Sequence, residues 1–324
     1  MPAEPLVRVV RSGLEESVHL GHVAVCDARG RLLASLGDPD RRVFVRSCMK
    51  PLQAAVSLSA IGGVRLDERQ VAVMCASHTG EPVHVRTVRS VLRRGGLTED
   101  DLRTPAALPE DRGTGVRAAR PIFHNCSGKH AGMLLACVVQ GWEPTTYRNR
   151  SHPLQRRVLS AVRMVSGVPQ PSLGVDGCGV PVHGMRMRDV ATMYARLAGH
   201  ERLGDLAPPT SRALSAMRAE PGIVGGLGRG DTVIMGAVQD LVTKEGAEAL
   251  SCAVSLREGI GIAVRVADGG YRAVGPALVR TLDLLGLLGA RERRALAAIA
   301  SPPVLGGGRP VGRLVADFDL RVRP

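Results

Sequence analysis

The sequence predicts an α/β fold, an α/β sandwich with an antiparallel sheet, and three observations support that prediction. Apolar segments of strand length lie toward both ends of the chain. Segments with helical spacing occupy most of the middle, and glycine- and proline-rich turns separate the elements. Strands from the two ends can form one sheet that helices from the middle cover. We therefore expect a single domain over residues 1–324, with a helical middle at about residues 80–230.

The first half of the chain begins with two predicted strands. They cover residues 6–11 and 23–35, and the second folds back through the polar turn Asp27-Ala28-Arg29-Gly30. The apolar run at 71–76 is predicted as another strand, and the proline-, glycine- and charge-rich segment 102–121 as a long surface loop. Helical spacing and stop signals predict helices at 51–61, 81–94, 127–139 and 153–165.

The second half alternates helices, turns and strands. Residues 174–184 are predicted as a turn, and 222–230 form a glycine-rich run. Helices are predicted at 188–198, 211–220 and 276–288. Strands are predicted at 233–242, 249–255 and 260–274, and a loop at 301–312 leads to a closing strand.

Composition narrows the class of protein. No apolar stretch is long enough to span a membrane and the first ten residues have no secretory pattern, so we expect a soluble cytoplasmic protein without a membrane partner. Seven cysteines spread over a long chain indicate reduced thiols. The formal charge of +13 suggests nucleic acid, but only 2% of residues are aromatic, so we expect no nucleic-acid partner and a small-molecule substrate instead.

Lysine is scarce in this sequence. Only three of the 43 Lys and Arg residues are lysines, and these are Lys50, Lys129 and Lys244. Arginine can replace lysine wherever a fixed positive charge suffices, but it cannot lose its proton. Chance survival is the alternative explanation, yet the pattern favours lysines that work as amines.

The segment Ser47-Cys48-Met49-Lys50-Pro51 is a Ser-x-x-Lys arrangement at the start of a helix. Residues three apart share a helix face, so the Lys50 amine could take the proton of Ser47 as the serine attacks a carbonyl. The alternative is an ordinary N-cap serine followed by an exposed lysine.

Two further segments end apolar runs with polar groups. Ser77 lies in Ala76-Ser77-His78-Thr79-Gly80, and Lys244 lies in Thr243-Lys244-Glu245-Gly246. The second is similar to the Lys-Thr-Gly strand of penicillin-recognising enzymes, although Glu245 replaces the threonine. A plain turn with satisfied hydroxyls is the alternative for Ser77.

Two cysteines and a lysine indicate a possible metal site. Cys126 and Lys129 share a face of the helix that begins at residue 127, and Cys178 lies in a tight turn about fifty residues later. Two thiolates, a neutral amine and water could hold Zn²⁺, although the spacing matches no zinc finger. Buried inert cysteines are the alternative.

Taken together, these motifs resemble those of the rhizobial-type L-asparaginases over about residues 6–285. The matching segments are Arg46-Ser47-Cys48-Met49-Lys50-Pro51-Leu52-Gln53, Ala76-Ser77-His78-Thr79-Gly80-Glu81-Pro82, Asn125-Cys126-Ser127-Gly128-Lys129-His130-Ala131-Gly132-Met133-Leu134, Val175-Asp176-Gly177-Cys178-Gly179-Val180-Pro181 and Lys244-Glu245-Gly246-Ala247-Glu248.

The resemblance implies a fold similar to that of serine β-lactamases and glutaminases, a homodimer, and hydrolysis of L-asparagine to L-aspartate and ammonia. It implies that Ser47 pairs with Lys50 and Ser77 with Lys244, and that zinc is held by Cys126, Lys129 and Cys178. Arg46, His130 and Asp176 are then expected to contact substrate. Two departures stand out, because relatives usually have glycine where Ala249 stands and many have lysine where Arg265 stands.

The predicted chemistry is acyl transfer to water, with Ser47 as nucleophile, Lys50 as base, and Ser77 with Lys244 relaying protons or donating to the oxyanion. Three alternatives stay open. They are a glutaminase, a penicillin-recognising serine–lysine hydrolase, and a basic nucleic-acid-binding protein without catalysis.

Overall fold

The computed structural model describes residues 1–110 and 115–322. Its strands are β1 (Glu4–Arg11), β2 (Leu14–Asp27), β3 (Leu32–Leu36), β4 (Arg42–Phe44), β5 (Ser172–Val175), β6 (Pro181–Arg186), β7 (Leu241–Gly246), β8 (Leu250–Ser255), β9 (Ile260–Val266), β10 (Pro303–Gly306), β11 (Arg309–Ala316) and β12 (Arg321–Val322). Its helices are α1 (Lys50–Ile61), α2 (Glu68–Cys75), α3 (Pro82–Arg93), α4 (Ser127–Gln140), α5 (Pro153–Ser166), α6 (Met187–Ala198), α7 (Ala207–Ala219), α8 (Pro221–Val224), α9 (Gly230–Ala237), α10 (Val274–Leu284), α11 (Ala290–Ala295) and α12 (Ala297–Ala300).

The chain divides into two compact units. The sheet unit comprises Met1–Cys48, Met185–Gly199 and Val233–Pro324, and the helical unit comprises Met49–Gly184 and His200–Thr232. That all 324 residues act as one domain stays a prediction. In the described part of the chain, none of the helices has both the length and the apolar character that crossing a membrane requires.

The sheet unit is built on one antiparallel sheet of nine strands. Its main path runs β10-β11-β1-β2-β9-β8-β7, while β3 also pairs with β2 and β12 pairs with β3. The strands therefore come from the two ends of the chain, and every pairing in the register is antiparallel. This confirms the predicted α/β class with an antiparallel sheet.

The two faces of the sheet are covered by different helices, because alternate residues of a strand point to opposite faces. Val23, Val25 and Ile262 belong to the hydrophobic core that also contains residues of α10. On the other face, α6 approaches so closely that a side chain at Gly261 would meet the Ala191 carbonyl oxygen at 2.0 Å. Glycine at position 261 therefore permits the contact between α6 and β9.

The helical unit is organised around α1, which contacts α2, α4, α5 and α7. Every residue of α1 except Ser59 is buried. Helix α4 comes close to α2, since a side chain at Gly128 would meet the Val73 carbonyl oxygen at 2.1 Å. Glycine at position 128 therefore permits close packing of the two helices. The end of α2 and the start of α4 lie beside the candidate site.

The predicted strand at residues 71–76 is wrong, because this segment lies in helix α2. A capping box starts the helix, in which the Asp67 side chain accepts from the Gln70 amide while the Gln70 side chain accepts from the Asp67 amide. Val71 to Cys75 are all buried, so the segment is apolar on every face. A short apolar run of this kind fits a buried helix as well as a strand, and the capping residues decide between them.

Other predictions need correction at element ends. Helix α9 occupies the first half of the predicted strand at 233–242, and the predicted strand at 260–274 ends at Val266 before helix α10 begins. The predicted turn at 174–184 contains the hairpin ends of β5 and β6, and the predicted loop at 301–312 contains β10. In the two hairpins, pairing between neighbouring strands overrides local composition.

The remaining predictions are confirmed within a few residues. The early strands appear as β1, β2 and β3, with the predicted turn between β2 and β3. The predicted helices at 51–61, 81–94, 127–139, 153–165, 188–198, 211–220 and 276–288 appear as α1, α3, α4, α5, α6, α7 and α10. In the predicted loop at 102–121, the described residues hold one isolated bridge, between Ala107 and Arg120, and a short 3₁₀ turn begins at Pro121. Residues 111–114 of that loop lie outside the described residues.

His183 on β6 makes part of the protein's stability dependent on pH. The ring is 1% exposed, and its buried Nδ1 has no hydrogen-bond partner among the described residues. Burial lowers the pKa of His183 to about 4. The unfolded chain therefore takes up this proton first, near pH 6.5, and stability is lost as pH falls from about 6.5 to about 4.

We expect wild type to lose about 2 kcal/mol more unfolding free energy than His183→Asn between pH 7 and pH 4.5. Urea unfolding of both proteins at the two pH values measures this difference. Equal losses in the two proteins would show that His183 titrates normally in the folded state.

Candidate active site

Both units contain residues that the sequence predicts for the site. The sheet unit holds Arg46, Ser47 and Lys244. The helical unit holds Lys50, Ser77, Cys126, Lys129, His130, Asp176 and Cys178. Within the helical unit, these residues form a serine–lysine pair and a thiol–amine cluster.

All three lysines are buried. Lys50 and Lys244 are 0% exposed and Lys129 is 3% exposed. Lysine is almost never fully buried unless it is partnered, because removing an ammonium group from water is costly. None of the three lysines is therefore a hydrated cation at the surface. This agrees with the scarcity of lysine in the sequence.

Lys50 is the first residue of α1, and its amine contacts Ser77. The Lys50 Nζ lies 2.8 Å from Ser77 Oγ, 2.5 Å from the Ala76 carbonyl oxygen and 3.3 Å from the Asn125 carbonyl oxygen. Tertiary packing of α1, α2 and α4 thus brings together groups that are far apart in sequence. The predicted pairing of Ser77 with Lys244 stays a prediction.

These contacts are compatible with an uncharged amine. A neutral amine has two N–H groups and one lone pair, and two of the oxygens within reach of the Lys50 amine, those of Ala76 and Asn125, are carbonyls that can only accept. With both N–H groups donated to those carbonyls, the lone pair is left for the proton of Ser77. The geometry therefore suits transfer of a proton between a serine hydroxyl and Lys50.

The segment that carries Ser77 is fixed by its neighbours. The Ser77 amide donates to the Val224 carbonyl at 2.9 Å. The next residue, His78, is fully buried, and burial lowers its pKa well below the usual value. Its Nδ1 accepts from the Gly80 amide, so its Nε2 carries the proton and donates to Ser127 Oγ at 2.9 Å. His78 is thus a neutral residue that holds the segment in place.

Beside this pair lies a cluster of two thiols and an amine. The Lys129 amine donates to Cys178 Sγ at 3.1 Å, and Cys126 is hydrogen-bonded to Cys178. The backbone joins the cluster to the serine–lysine pair, because Cys126 directly follows Asn125, whose carbonyl accepts from Lys50. The predicted residues Cys126, Lys129 and Cys178 are therefore brought together.

Charge in the cluster is concentrated on Cys178. The hydrogen bond from Cys126 lowers the pKa of Cys178 far below that of an ordinary thiol, burial opposes this, and the positive charge of Lys129 reinforces it. The same hydrogen bond, together with burial, raises the pKa of Cys126. Burial alone would lower the pKa of Lys129, but the two cysteines and Asp176 raise it. These interactions favour a thiolate on Cys178 and an ammonium on Lys129.

His130 and Asp176 lie at the edge of the cluster. Burial lowers the pKa of His130 to about 4, so its ring is neutral. The Tyr147 hydroxyl accepts from the Arg103 amide at 3.2 Å and contacts His130 Nδ1. Cys178 Sγ lies 3.8 Å from a carboxylate oxygen of Asp176. His130 and Asp176, two of the three residues predicted to contact substrate, therefore lie near Cys178.

The thiol–amine cluster of Cys126, Lys129 and Cys178 supplies part of a zinc site. Two thiolates and an amine nitrogen supply three of the four ligands of a tetrahedral site. The His130 ring interacts with Cys178, so a further nitrogen lies beside the thiols. In the described part of the chain, no three His, Cys, Asp or Glu side chains are grouped to hold a metal, so a metal here needs the Lys129 amine in neutral form.

In the sheet unit, the segment with Ser47 is attached to strand β7. Cys48 Sγ donates to the Lys244 carbonyl at 3.0 Å, and the Tyr194 hydroxyl donates to the Cys48 carbonyl at 2.7 Å. A side chain at Gly246 would meet Cys48 Sγ at 3.0 Å. Glycine in the Lys-x-Gly strand therefore permits close approach of the serine segment.

The Lys244 side chain itself is fully buried, and its amine donates to the Glu245 carbonyl at 3.0 Å. Beyond it, the turn between β7 and β8 is left-handed at Glu248 (φ 63°) and Ala249 (φ 54°). An alanine in this conformation costs roughly 1–2 kcal/mol relative to ordinary backbone geometry. The turn thus keeps a left-handed conformation although this chain has alanine where the resemblance leads one to expect glycine.

Several contributing groups were not predicted from the sequence. The carbonyls of Ala76 and Asn125 hold the Lys50 amine, and backbone atoms carry no sequence signal. Tyr147 could have been suspected, because only three tyrosines occur in the chain and this one is fully buried beside His130. The Tyr271 hydroxyl, another of the three, contacts the Glu245 carboxylate.

Comparison with known proteins agrees with this chemistry. The family model described as L-asparaginase II matches residues 7–316, which is nearly the whole chain. The class defined by this match is that of the amidohydrolases, enzymes that cleave amide bonds with water. Within that class, the chain belongs to the L-asparaginase II family.

Structural similarity to solved proteins is weak. The structure named Mglu is 14% identical with a TM-score of 0.46, and the match covers 82% of this chain and 67% of that one. A Bacillus subtilis glutaminase, YbgJ, is 13% identical with a TM-score of 0.38 over 82% and 88% of the two chains. A β-lactamase from Mycobacterium bovis is 15% identical with a TM-score of 0.38 over 81% and 94%. Comparison with curated proteins gives no match.

Proposed function

We propose that this protein hydrolyses L-asparagine to L-aspartate and ammonia by acyl transfer through a serine, with Lys50 as the general base. The observation that carries the proposal is the buried Lys50 amine, 2.8 Å from Ser77 Oγ and held by two carbonyl oxygens. Membership of the L-asparaginase II family supports the substrate.

In the proposed reaction, Ser47 Oγ attacks the side-chain amide carbon of asparagine while its proton passes to Lys50, directly or through Ser77. The carbon–nitrogen bond then breaks, and ammonia leaves with the proton held by Lys50. Water next gives a proton to Lys50 and attacks the ester carbonyl. Ser47 recovers that proton as L-aspartate is released.

Other predicted residues would stabilise charge and orient substrate. Ser77 and Lys244 would relay protons or donate to the oxyanion that forms at the carbonyl. Arg46 would bind a substrate carboxylate, for which its planar guanidinium is suited. His130 and Asp176 would contact the remaining polar groups of the amino acid. Arg46 has φ 52°, an uncommon conformation for a non-glycine residue and one that often occurs at functional sites.

Zinc is proposed as the metal of the thiol–amine cluster, held by Cys126, Lys129 and Cys178. The support is the donor set, since two sulfurs and one nitrogen suit zinc better than magnesium or calcium. When bound, zinc would supply a Lewis-acid position that polarises an oxygen of the substrate. It would also require deprotonation of all three side chains.

We further propose a homodimer in the cytoplasm. The seven cysteines are buried thiols rather than disulfides, which fits a reducing compartment. The dimer rests on the resemblance to rhizobial-type asparaginases.

Covalent labelling identifies the nucleophile. The asparagine analogue 5-diazo-4-oxo-L-norvaline reacts when its diazo carbon is protonated, nitrogen leaves, and the serine oxygen bonds to the methylene carbon. Ser47 and Ser77 fall in different tryptic peptides, because Arg65 and Arg69 lie between them. We expect the label on Ser47, no labelling of Ser47→Ala, and slower labelling of Ser77→Ala.

Ammonia release from L-asparagine and L-glutamine, measured on the same samples, completes the test. A label on Ser77 would exchange the roles of the two serines. Absence of both labelling and ammonia release would overturn the proposed function, and greater activity on glutamine would make the protein a glutaminase.

A further inference from the structure

The sheet unit contains a cavity of ≈ 460 Å³ that is rich in arginine. Its charged lining consists of four arginines and two carboxylates, which are Arg41, Arg42, Arg46, Arg265, Asp38 and Glu248. Cavities of this size hold small molecules. The excess of guanidinium groups indicates an anionic ligand.

Arg265 projects from the sheet on the same face as predicted site residues. It lies on β9 between His22 of β2 and Leu250 of β8, and Leu250 is paired in turn with Gly246 of β7. Directly paired residues point to the same face, so Arg265 shares its face with Lys244, two residues before Gly246. Arg46, which also lines the cavity, is the residue before Ser47.

One guanidinium nitrogen of Arg265 lacks a partner. Its Nη1 is buried and has no hydrogen-bond partner among the described residues. Buried polar groups are nearly always hydrogen-bonded, and an unsatisfied charged donor is costly. Burial lowers the pKa of Arg265, Glu248 opposes this, and the nearby positive charge of Arg41 and Arg46 adds to it. An anion in the cavity would relieve both the missing hydrogen bond and the repulsion among the arginines.

The other polar groups of the cavity leave this excess in place. Asp38 Oδ1 accepts from the Asp40 amide, and its other oxygen lies 3.8 Å from the N-terminal amine. His22 Nδ1 accepts from the Asp38 amide at 2.9 Å, and burial lowers the pKa of His22, so the ring adds no positive charge at neutral pH. Among the cavity's carboxylates Glu248 acts most strongly on Arg265, and Asp268, which does not line the cavity, adds a smaller attraction.

We propose that this cavity binds a small amino dicarboxylate, L-aspartate, with Arg265 holding one carboxylate, Arg41 the other, and Glu248 the ammonium group. Arginine pairs with carboxylates through two parallel hydrogen bonds, which explains the use of guanidinium groups here. L-Aspartate carries one more negative charge than L-asparagine, so the cavity distinguishes product from substrate. The choice of aspartate rests on the proposed function, but the dicarboxylate site does not.

The test is calorimetric titration of the full chain with L-aspartate, succinate and L-asparagine at low salt. We expect aspartate to bind at least about tenfold more tightly than asparagine, since charge-assisted hydrogen bonds are roughly twice as strong as neutral ones. Arg265→Gln and Arg41→Gln should each weaken binding of aspartate and succinate by about tenfold or more. Arg257→Gln, an exposed arginine of the same unit, is the matched control and should bind like wild type.

A fourth variant tests the orientation of the ligand. Glu248→Gln should weaken binding of aspartate but leave succinate unchanged or tighter, because succinate has no ammonium group. Unchanged succinate binding in both Arg265→Gln and Arg41→Gln, or equal binding of aspartate and asparagine, would overturn the proposal. A chain without amidase activity that still binds succinate through Arg265 would overturn the proposed function and leave this site standing.

Discussion

Lys50→Met is expected to lower kcat/KM for ammonia release from L-asparagine by about 10²–10⁴-fold, the usual contribution of a positioned general base. Methionine keeps the length of the side chain in a fully buried position but has neither a lone pair that takes a proton at neutral pH nor a donor. The carbonyls of Ala76 and Asn125 lose their donor, so we also expect a loss of stability of about 1–3 kcal/mol. Steady-state kinetics and urea unfolding measure the two effects separately.

Two comparisons separate a catalytic role of Lys50 from a structural one. Lys50→Ala should regain part of its activity when a small primary amine such as ethylamine is added, and the rescue should follow the concentration of the neutral amine. Ser57→Ala, on the same helix, removes a buried hydroxyl that donates to the Gln53 carbonyl at 3.0 Å, and should keep near wild-type activity. Full activity of Lys50→Met would exclude this lysine as the base.

The residue types of the candidate site are easier to predict from the sequence than the contacts between them. Scarcity of lysine in an arginine-rich chain pointed to Lys50, Lys129 and Lys244, and all three are buried. Arginine cannot take the place of lysine in a role that requires loss of a proton. The contact between Lys50 and Ser77 could not be read from spacing, since it depends on how α1 and α2 pack and on the direction of two backbone carbonyls.

Errors in the predicted fold have a similar origin. The apolar run at 71–76, taken alone, predicts a strand. Asp67 and Gln70, however, form a capping box that starts helix α2. That pattern is local and could have been used. The hairpin of β10 and β11 is different, because residues 301–312 have loop composition and become strands by pairing with each other and, through β11, with β1 at the other end of the chain.

The arginine cavity shows a further limit of prediction from sequence. Arg41 and Arg46 are close in sequence, but Arg265 reaches them only because β9 pairs with β2 in a register that places Arg265 opposite His22. A shift of one residue would turn Arg265 to the other face of the sheet. A site of this kind follows from strand register, which a single sequence specifies poorly.

Cys126→Ala and Cys178→Ala are each expected to abolish zinc binding, with affinity reduced by more than about 100-fold, since changes even to groups that only support a metal's ligands cost 10–100-fold. Metal analysis after dialysis against buffered zinc measures the effect. Cys137→Ala is the matched control, because Cys137 is another buried cysteine of the helical unit, on α4, and burial raises its pKa to about 12. It should bind zinc like wild type, and zinc retained by Cys178→Ala would place the metal elsewhere.

The same variants should differ in chelator-treated protein, where the pairing of Lys129 with Cys178 stabilises the cluster without a metal. Cys178→Ala leaves the Lys129 ammonium buried without its thiolate, which should cost about 3–5 kcal/mol of unfolding free energy. Cys126→Ala removes a protonated thiol and should cost less. Lys129→Met combined with Cys178→Ala should recover part of the loss, because the unpaired charge is gone. Equal losses for the two cysteines, with no coupling to Lys129, would contradict a thiolate on Cys178.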